Sequence, residues 1–176
     1  NTNSRTFGPR YLRPDSREDT FSNLSPKLGL VQSLTEDTSA FINYARGNRA
    51  PQTTDLYRAQ IQPTLTGGTA DSEQIDSIEV GVRKLGDGLQ YEIAAHHMKK
   101  RDYFFTDTSD QNVPDGKTEH SGLELGMFYP FNEQFDIAAN VTFAKHEYDF
   151  DKADAFIEDG GYLVTAPKRM GNIRLG

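Results

Sequence analysis

A chain of 176 residues suffices for one ordinary domain or for a piece of something larger. With 19 Lys+Arg against 26 Asp+Glu, a formal charge of -7, it lacks the basic surplus that phosphate neutralisation requires, which argues against a nucleic-acid binder. The absence of cysteine removes disulfides, thiolate metal sites and thiol nucleophiles, and no run of about 18 apolar residues offers a transmembrane helix.

Alternation predicts about seven strands between Phe21 and Gly176, with residues 1–20 read as an extracellular loop or strand end. The first runs from about Phe21 to Leu34, with Leu28, Leu30 and Leu34 on one face. A TEDT turn, Thr35 to Thr38, leads to the second strand, SAFINYARG. A long polar connection from about Gly47 to Ala70 holds Pro51, Pro63 and the Gly67-Gly68 pair. In the third strand Ile78, Val80 and Val82 alternate with Ser77, Glu79, Gly81 and Arg83. LGDG, Leu85 to Gly88, is a tight turn, and the fourth strand sets Leu89, Tyr91, Ile93 and Ala95 against Gln90, Glu92, Ala94 and His96, continuing towards Phe105. DTSDQNVPDG, Asp107 to Gly116, reads as loop by its Asp, Ser, Pro and Gly content. The fifth strand sets Leu123, Leu125, Met127 and Tyr129 against Gly122, Glu124, Gly126 and Phe128. After an FNEQ turn, the sixth, FDIAANVTF, places Phe135, Ile137, Ala139, Val141 and Phe143 opposite Asp136, Ala138, Asn140 and Thr142. A polar loop from about Phe150 to Gly161 precedes the seventh strand, which meets the end of the sequence in mid-pattern.

Such strands can turn their apolar faces to a protein core or to lipid. Four features favour lipid. Short turns and long polar loops alternate, so that each kind falls at one end of the sheet, as in outer-membrane barrels. Strands one, four, five and six are expected to reach about 14 residues, whereas a globular strand has about 5 or 6 and a tilted membrane strand needs about 9–11. The wet face carries Glu79, Arg83, Glu92, Glu124, Asp136 and Asn140, which a dry core could hold only with a partner for each charge, and which a watery lumen accepts without one. Tyr91, Tyr129, Phe131 and Phe135 gather at the short-turn end, where an interfacial aromatic girdle would stand. A mean hydropathy of -0.69 is compatible, because only every second residue of such a strand need be apolar. The expected fold is therefore all-β, an antiparallel up-and-down meander of about seven long strands forming an open segment of a large transmembrane β-barrel. The alternative is a small self-contained outer-membrane barrel or a soluble β-sandwich acting as an adhesin or binding module.

The runs NLSPKLGLV (Asn23 to Val31) and NYARGNRAPQTTDLYR (Asn43 to Arg58) resemble the barrel portion of TonB-dependent outer-membrane receptors. DSIEVGVR, YEIAAHHMKKRDYFF, NVPDGKTEHSGLELG and TAPKRMGNIRLG follow in the family's order, so the likeness covers about Phe21 to Gly176. Two positions depart from the pattern: Asn48 stands where the family often has an aromatic, and Gln32 where it often has tyrosine. The resemblance implies a partial barrel, part of a longer chain with an N-terminal plug inside a wall of about 22 strands and a segment that contacts TonB. It further implies a Gram-negative outer-membrane location and active transport of a scarce nutrient such as a ferric siderophore-type chelate. The partners implied are lipid and lipopolysaccharide, the TonB complex through the plug side, and a small-molecule substrate.

Site residues follow at lower resolution. Arg46, Arg49, Tyr57 and Arg58 border the first long loop. Arg donates paired hydrogen bonds to carboxylate or catecholate oxygens and Tyr stacks, so these four are candidate substrate contacts, and a plain structural rim is the competing reading. Lys99 to Tyr103, KKRDY, could meet lipopolysaccharide phosphates or be a solvated strand end. Glu79, Arg83, Glu92, Glu124 and Asn140 are expected to face the lumen. Of the four histidines, His96, His120 and His146 share strand parity, and His120 and His146 lie on neighbouring strands near the long-loop end; all are read as polar lining. The acidic TEDT, SEQIDSIE and DFDKADAFIED stretches lack calcium-loop spacing. No nucleophile elbow, phosphate loop or His-Glu-x-x-His is present, so no enzyme, cofactor or metal site is assigned.

Overall fold

The computed structural model describes residues 18–52, 71–106, 112–153, 156–163 and 166–176. They form β1 (Lys27–Ser33), β2 (Thr38–Arg49), β3 (Glu73–Lys84), β4 (Gln90–Thr106), β5 (Asn112–Pro130), β6 (Asp136–Tyr148) and β7 (Arg169–Leu175). One sheet holds all seven in sequence order, each strand antiparallel to its neighbours. With 17, 19 and 13 residues, β4, β5 and β6 exceed the length that a tilted bilayer crossing needs, about 9–11.

Register decides which side chains share a face, because directly opposed residues of an antiparallel ladder project to the same side. One face carries the row Ala40, Val82, Ile93, Leu125 and Val141. Above it, towards the long connections, runs Ile42, Val80, Ala95, Leu123 and Phe143. Below it run Tyr91, Met127, Ala139 and Ile173. The opposite face carries Arg83, Glu92, Gly126, Asn140 and Asn172 in one row, and Asn43, Glu79, His96, Gly122 and Ala144 in another. Glu124 and Asp136 have the same parity, so the expected wet residues all lie together. Neighbours neutralise one another there: Arg83 pairs with Glu92, and Arg174 Nη2 lies 2.9 Å from Asp136 Oδ1.

The apolar face has no second layer over it among the described residues. Val80 is 50% exposed and Leu123 39%, and the buried apolar side chains are Ala94 and Ile157, neither of them from the apolar rows. A sandwich would have converged Val80, Leu123, Ile137 and Val141 on a dry centre, so that alternative is corrected: this is a single sheet with one greasy and one charged side.

Among the boundaries that differ from the sequence expectation are those of β1 and β5. β1 begins at Lys27 and has seven residues, and Leu34 falls in the turn. Pro26 still accepts from the Arg46 N–H at 2.9 Å but has no N–H to return, so the ladder stops there. At the same end of the strands, that of the long connections, Asn112 to Gly116 belong to β5 rather than to a loop. The ladder tolerates Pro114 because its register shifts between Lys100 and Tyr103 and again before Phe105, with Asp102 in the left-handed region at φ 56°. That bulge reverses strand parity and returns Tyr103 to the polar face, opposite Gly116.

The short turns follow local chemistry. Asn132 Oδ1 accepts from the N–H groups of Gln134 and Phe135 at 2.8 and 3.0 Å, closing the turn between β5 and β6. Beside it Tyr129 and Phe131 pack edge-on with centroids 5.1 Å apart. Asp37 joins the other two turns: its carboxylate accepts from the Thr35 and Thr38 hydroxyls at 2.7 and 2.9 Å, and Lys84 Nζ lies 3.3 Å away. The two hydroxyls, then Lys84, hold its carboxyl down to about 2. A depressed carboxyl stabilises the turn fully above its unfolded value near 4 and loses that contribution as pH falls through the folded value. In protein labelled with ¹³C at aspartate Cγ, the Asp37 signal is expected to titrate near pH 2, and Thr35→Ala to move the midpoint towards 4. A midpoint already near 4 in the unmodified protein would remove the turn network.

Candidate functional site

The best-buried part of the polar face lies at the long-loop end. Glu73, where β3 begins, is 5% exposed and receives Arg49 Nε at 2.7 Å and Lys100 Nζ at 3.5 Å. Its register partner on β2 is Arg49, so the ion pair is set by the ladder itself. Lys100 also stands 4.9 Å from the centre of the Tyr103 ring. Tyr103, Phe105, Phe150 and Tyr148 form a chain of tilted and edge-on rings with centroids 5.4 to 6.0 Å apart. The loop after β6 folds back on this cluster: Tyr148 exchanges backbone hydrogen bonds with Gly160 and Gly161 at 2.9 Å, and the Leu163 N–H donates to the His146 carbonyl at 3.0 Å.

One row further along the strands, Met98, His120 and His146 face each other across β4, β5 and β6. His120 Nδ1 and His146 Nδ1 are 2.8 Å apart, and His120 Nε2 lies 2.9 Å from the Oγ1 of Thr118, which is 3% exposed. His96 belongs to a different row and stands 3.6 Å from Glu124. Among the described residues no group of three or more His, Cys, Asp or Glu could hold a metal ion.

Of the four candidate substrate contacts, the two among the described residues, Arg46 and Arg49, lie on β2. Arg46 and Arg49 are three residues apart on a continuous strand and therefore point to opposite faces. Arg46 lies on the apolar side, where Nε and Nη2 donate to Asp76 at 2.7 and 3.2 Å and the Tyr44 hydroxyl donates to the same carboxylate at 2.7 Å. Tyr57 and Arg58 fall outside the described residues. The KKRDY run divides likewise: Lys100 and, through the bulge, Tyr103 face the polar side, while Lys99 and Arg101 join Arg46 at the upper border of the apolar band. There Lys99 meets Glu119 at 3.0 Å and Lys145 meets Glu147 at 2.7 Å, a belt of paired charges where hydrocarbon rows end. Sequence reading missed Glu73 as a site residue; Gln74, Ile75 and Asp76 break the apolar–polar alternation there, so the pattern that marked Ile78 to Arg83 did not reach it.

A one-layer antiparallel meander, apolar on one side and charged on the other, with polar loops at one end, is a segment of β-barrel wall. The chain belongs to the TonB-dependent receptor-like β-barrel family, which matches residues 1–176. A comparison with curated proteins finds no match. Among solved structures the chain is similar to the unliganded ferric citrate transporter FecA, at 21% identity and TM-score 0.69 over 86% of this chain and 22% of that one. It is similar to the siderophore receptor PiuA from Acinetobacter baumannii at 18% identity and TM-score 0.62, over 85% of this chain and 23% of the other. The ferric yersiniabactin uptake receptor FyuA from Yersinia pestis aligns at 17% identity and TM-score 0.61, over 85% and 22%. The chain spans between a fifth and just over a quarter of the solved structures it resembles, 20% to 28% of their length. At these identities the likeness shows the fold.

Proposed function

We propose that the chain is part of the barrel wall of a Gram-negative outer-membrane receptor that captures a scarce nutrient, most specifically a ferric chelate, and admits it with energy delivered through TonB. In this reading the apolar rows meet lipid, and the face bearing Glu79, Arg83, Glu92, Glu124 and Asn140 lines the lumen. The belt of Arg46, Asp76, Lys99 and Glu119 stands at the height of the lipopolysaccharide headgroups. The observation that carries the proposal is the exposed apolar face: Ile93 at 44% and Ile173 at 75% exposure have no protein over them among the described residues, and leaving apolar surface in water costs about 25 cal/mol for each Å². The iron-chelate assignment is supported by the family and by the named cargoes of FecA, PiuA and FyuA.

Deletion of the full-length gene is expected to abolish uptake of one class of radiolabelled ferric chelate under iron limitation, with the receptor recovered in outer-membrane fractions. Uptake unchanged for every chelate offered would refute the iron reading. Within that reading, Arg49 with Tyr57 and Arg58 contacts substrate at the rim, and Arg46 holds the wall. Arg49→Ala is expected to weaken equilibrium chelate binding about tenfold, the loss of one charge-assisted hydrogen bond, while Arg46→Ala leaves it unchanged. Equal affinity in the wild type and Arg49→Ala would remove Arg49 from the site.

A further inference from the structure

Cations border the apolar rows at the long-loop end, and on β2 to β5 they are balanced. Arg46 and Arg101 share Asp76, and Lys99 meets Glu119 at 3.0 Å. On β6 and β7 the balance fails. Lys145 meets Glu147 at 2.7 Å, but Lys168 and Arg169 have no carboxylate partner among the described residues. Arg169 opposes Phe143 and Phe143 opposes Leu123, so the guanidinium stands level with the last apolar row of these strands; Ser121 and Lys145 follow it. Lys168 joins the same surface. Its Nζ stands 3.3 Å from the centre of the Tyr162 ring, and Tyr162 is bridged to Glu147, the partner of Lys145. Cations at the edge of hydrocarbon without a protein counter-charge call for an anion from outside the chain.

The same strands carry a furrow directly below these cations. Gly171 opposes Val141 and Ala139 opposes Ile173, and the small side chains leave a hollow walled by Leu125, Met127 and Ile173. A second hollow above it is lined by Phe143, Lys145, Lys168 and Arg169. Along β7 the step from Arg169 to Ile173 is about 13 Å at the strand rise. Cations above a greasy furrow match an anionic amphiphile, its head at Arg169 and an acyl chain laid along β7. A phosphate monoester suits the head best. It carries about -1.5 to -2 charge and three acceptor oxygens, enough for the Arg169 fork and the Lys168 ammonium together. A zwitterionic phospholipid brings its own ammonium and offers these residues a weaker anion.

We propose that the apolar side of β5, β6 and β7 binds a phosphorylated glycolipid of the outer leaflet, with Lys168 and Arg169 on a phosphate and an acyl chain in the furrow at Gly171 and Ala139. Lys99 and Arg101, the cations of KKRDY on this side of the sheet, are engaged by Glu119 and Asp76 and do not form the site. The proposal rests on the reading of the apolar rows as lipid-facing and is independent of the cargo.

The test uses the full-length receptor in detergent, stripped of lipid and titrated by native mass spectrometry with lipid A bearing both phosphates, with its dephosphorylated form and with inorganic phosphate. The paired Lys168→Gln, Arg169→Gln variant is expected to bind the phosphorylated lipid at least about tenfold less tightly, the loss of charge-assisted contacts. The paired Lys99→Gln, Arg101→Gln variant is expected to change it less than about twofold. Ala139→Leu, which fills the furrow and leaves the cations in place, is expected to weaken the lipid and not inorganic phosphate. Heat-modifiable migration on gels reports folding, and the single Arg169→Gln serves if the paired variant is not folded. Unchanged affinity in the folded Arg169 variants overturns the proposal, as does equal binding of the dephosphorylated lipid. Displacement of the lipid by inorganic phosphate at equal concentration shows an anion site only and overturns the glycolipid. Membrane fractionation separates the two readings: a receptor inserted in the outer membrane whose lipid binding ignores Arg169 refutes the site alone, and a receptor absent from that membrane refutes both.

Discussion

Arginine in place of Leu125 is expected to cost the full-length receptor about 2–4 kcal/mol when its unfolding from phospholipid vesicles is followed in denaturant, and arginine in place of Glu124 less than about 1 kcal/mol. The two positions are neighbours on β5 and differ only in face. Leu125 lies in the middle apolar row, opposed by Ile93 on β4 and Val141 on β6, with Tyr129 four residues towards the short turn and Glu119 six residues towards the charged belt. A guanidinium there sits near the hydrocarbon midplane and must either thin the bilayer or snorkel past the apolar row on one side. At position 124 the same group enters a row containing Thr142 and next to His96, where water and polar side chains receive it. The difference between the two variants measures the lipid directly, since backbone propensity and strand position are shared. Equal costs at 124 and 125 would mean that both faces see the same medium, and the reading of the sheet as barrel wall would fail.

What the sequence disclosed and what it concealed both follow from strand geometry. Alternation in β3 to β6 was legible because the two faces meet different solvents: Ile78, Val80 and Val82 could not exchange places with Glu79 and Arg83 without putting charge into the apolar rows. The short turns were legible because Asp, Asn and Gly at these positions make local hydrogen bonds that no strand residue replaces. Features set by pairing rather than by local preference were hidden. Gly47 and Asn48 read as the start of a loop, yet β2 continues to Arg49, with the Asn48 Nδ2 bridging to the Leu24 carbonyl at 2.8 Å and to Ser25 Oγ at 2.9 Å. That continuation decides that Arg46 and Arg49 part company. Parity likewise put His96, His120 and His146 on one face, but only the register shows that His146 meets His120 and that Met98 completes the row. The bulge at Asp102, which moves Tyr103 to the polar face, has no local signature of its own in KKRDY.

Alanine at Gly81 is expected to destabilise the barrel by about 1–3 kcal/mol, and removing the ring above it is expected to recover only part of that loss. Gly81 lies on the polar face of β3 beneath the Phe41 side chain of β2, its register partner, so the aromatic covers a glycine on the neighbouring strand. A Cβ at this position would press into the Phe41 ring and stand 2.7 Å from the Ile93 carbonyl oxygen of β4. The ring can rotate away; the carbonyl is held in the ladder. Gly122 offers a contrast on the next pair of strands. A Cβ there would stand 2.7 Å from His96 Nε2, at the mobile end of a side chain, and 3.1 Å from the Phe143 carbonyl, close but within what a small backbone shift absorbs. Two double-mutant cycles separate these cases. His96→Ala is expected to rescue most of the cost of Gly122→Ala, whereas Phe41→Ala leaves Gly81→Ala with the larger share of its penalty. Full rescue at Gly81 would show that the glycine serves only to seat the aromatic ring. Partial rescue shows that the ladder between β3 and β4 itself admits no side chain there, and that the register bringing Glu79 opposite His96, and Arg83 opposite Glu92, is fixed by a backbone contact as well as by charge.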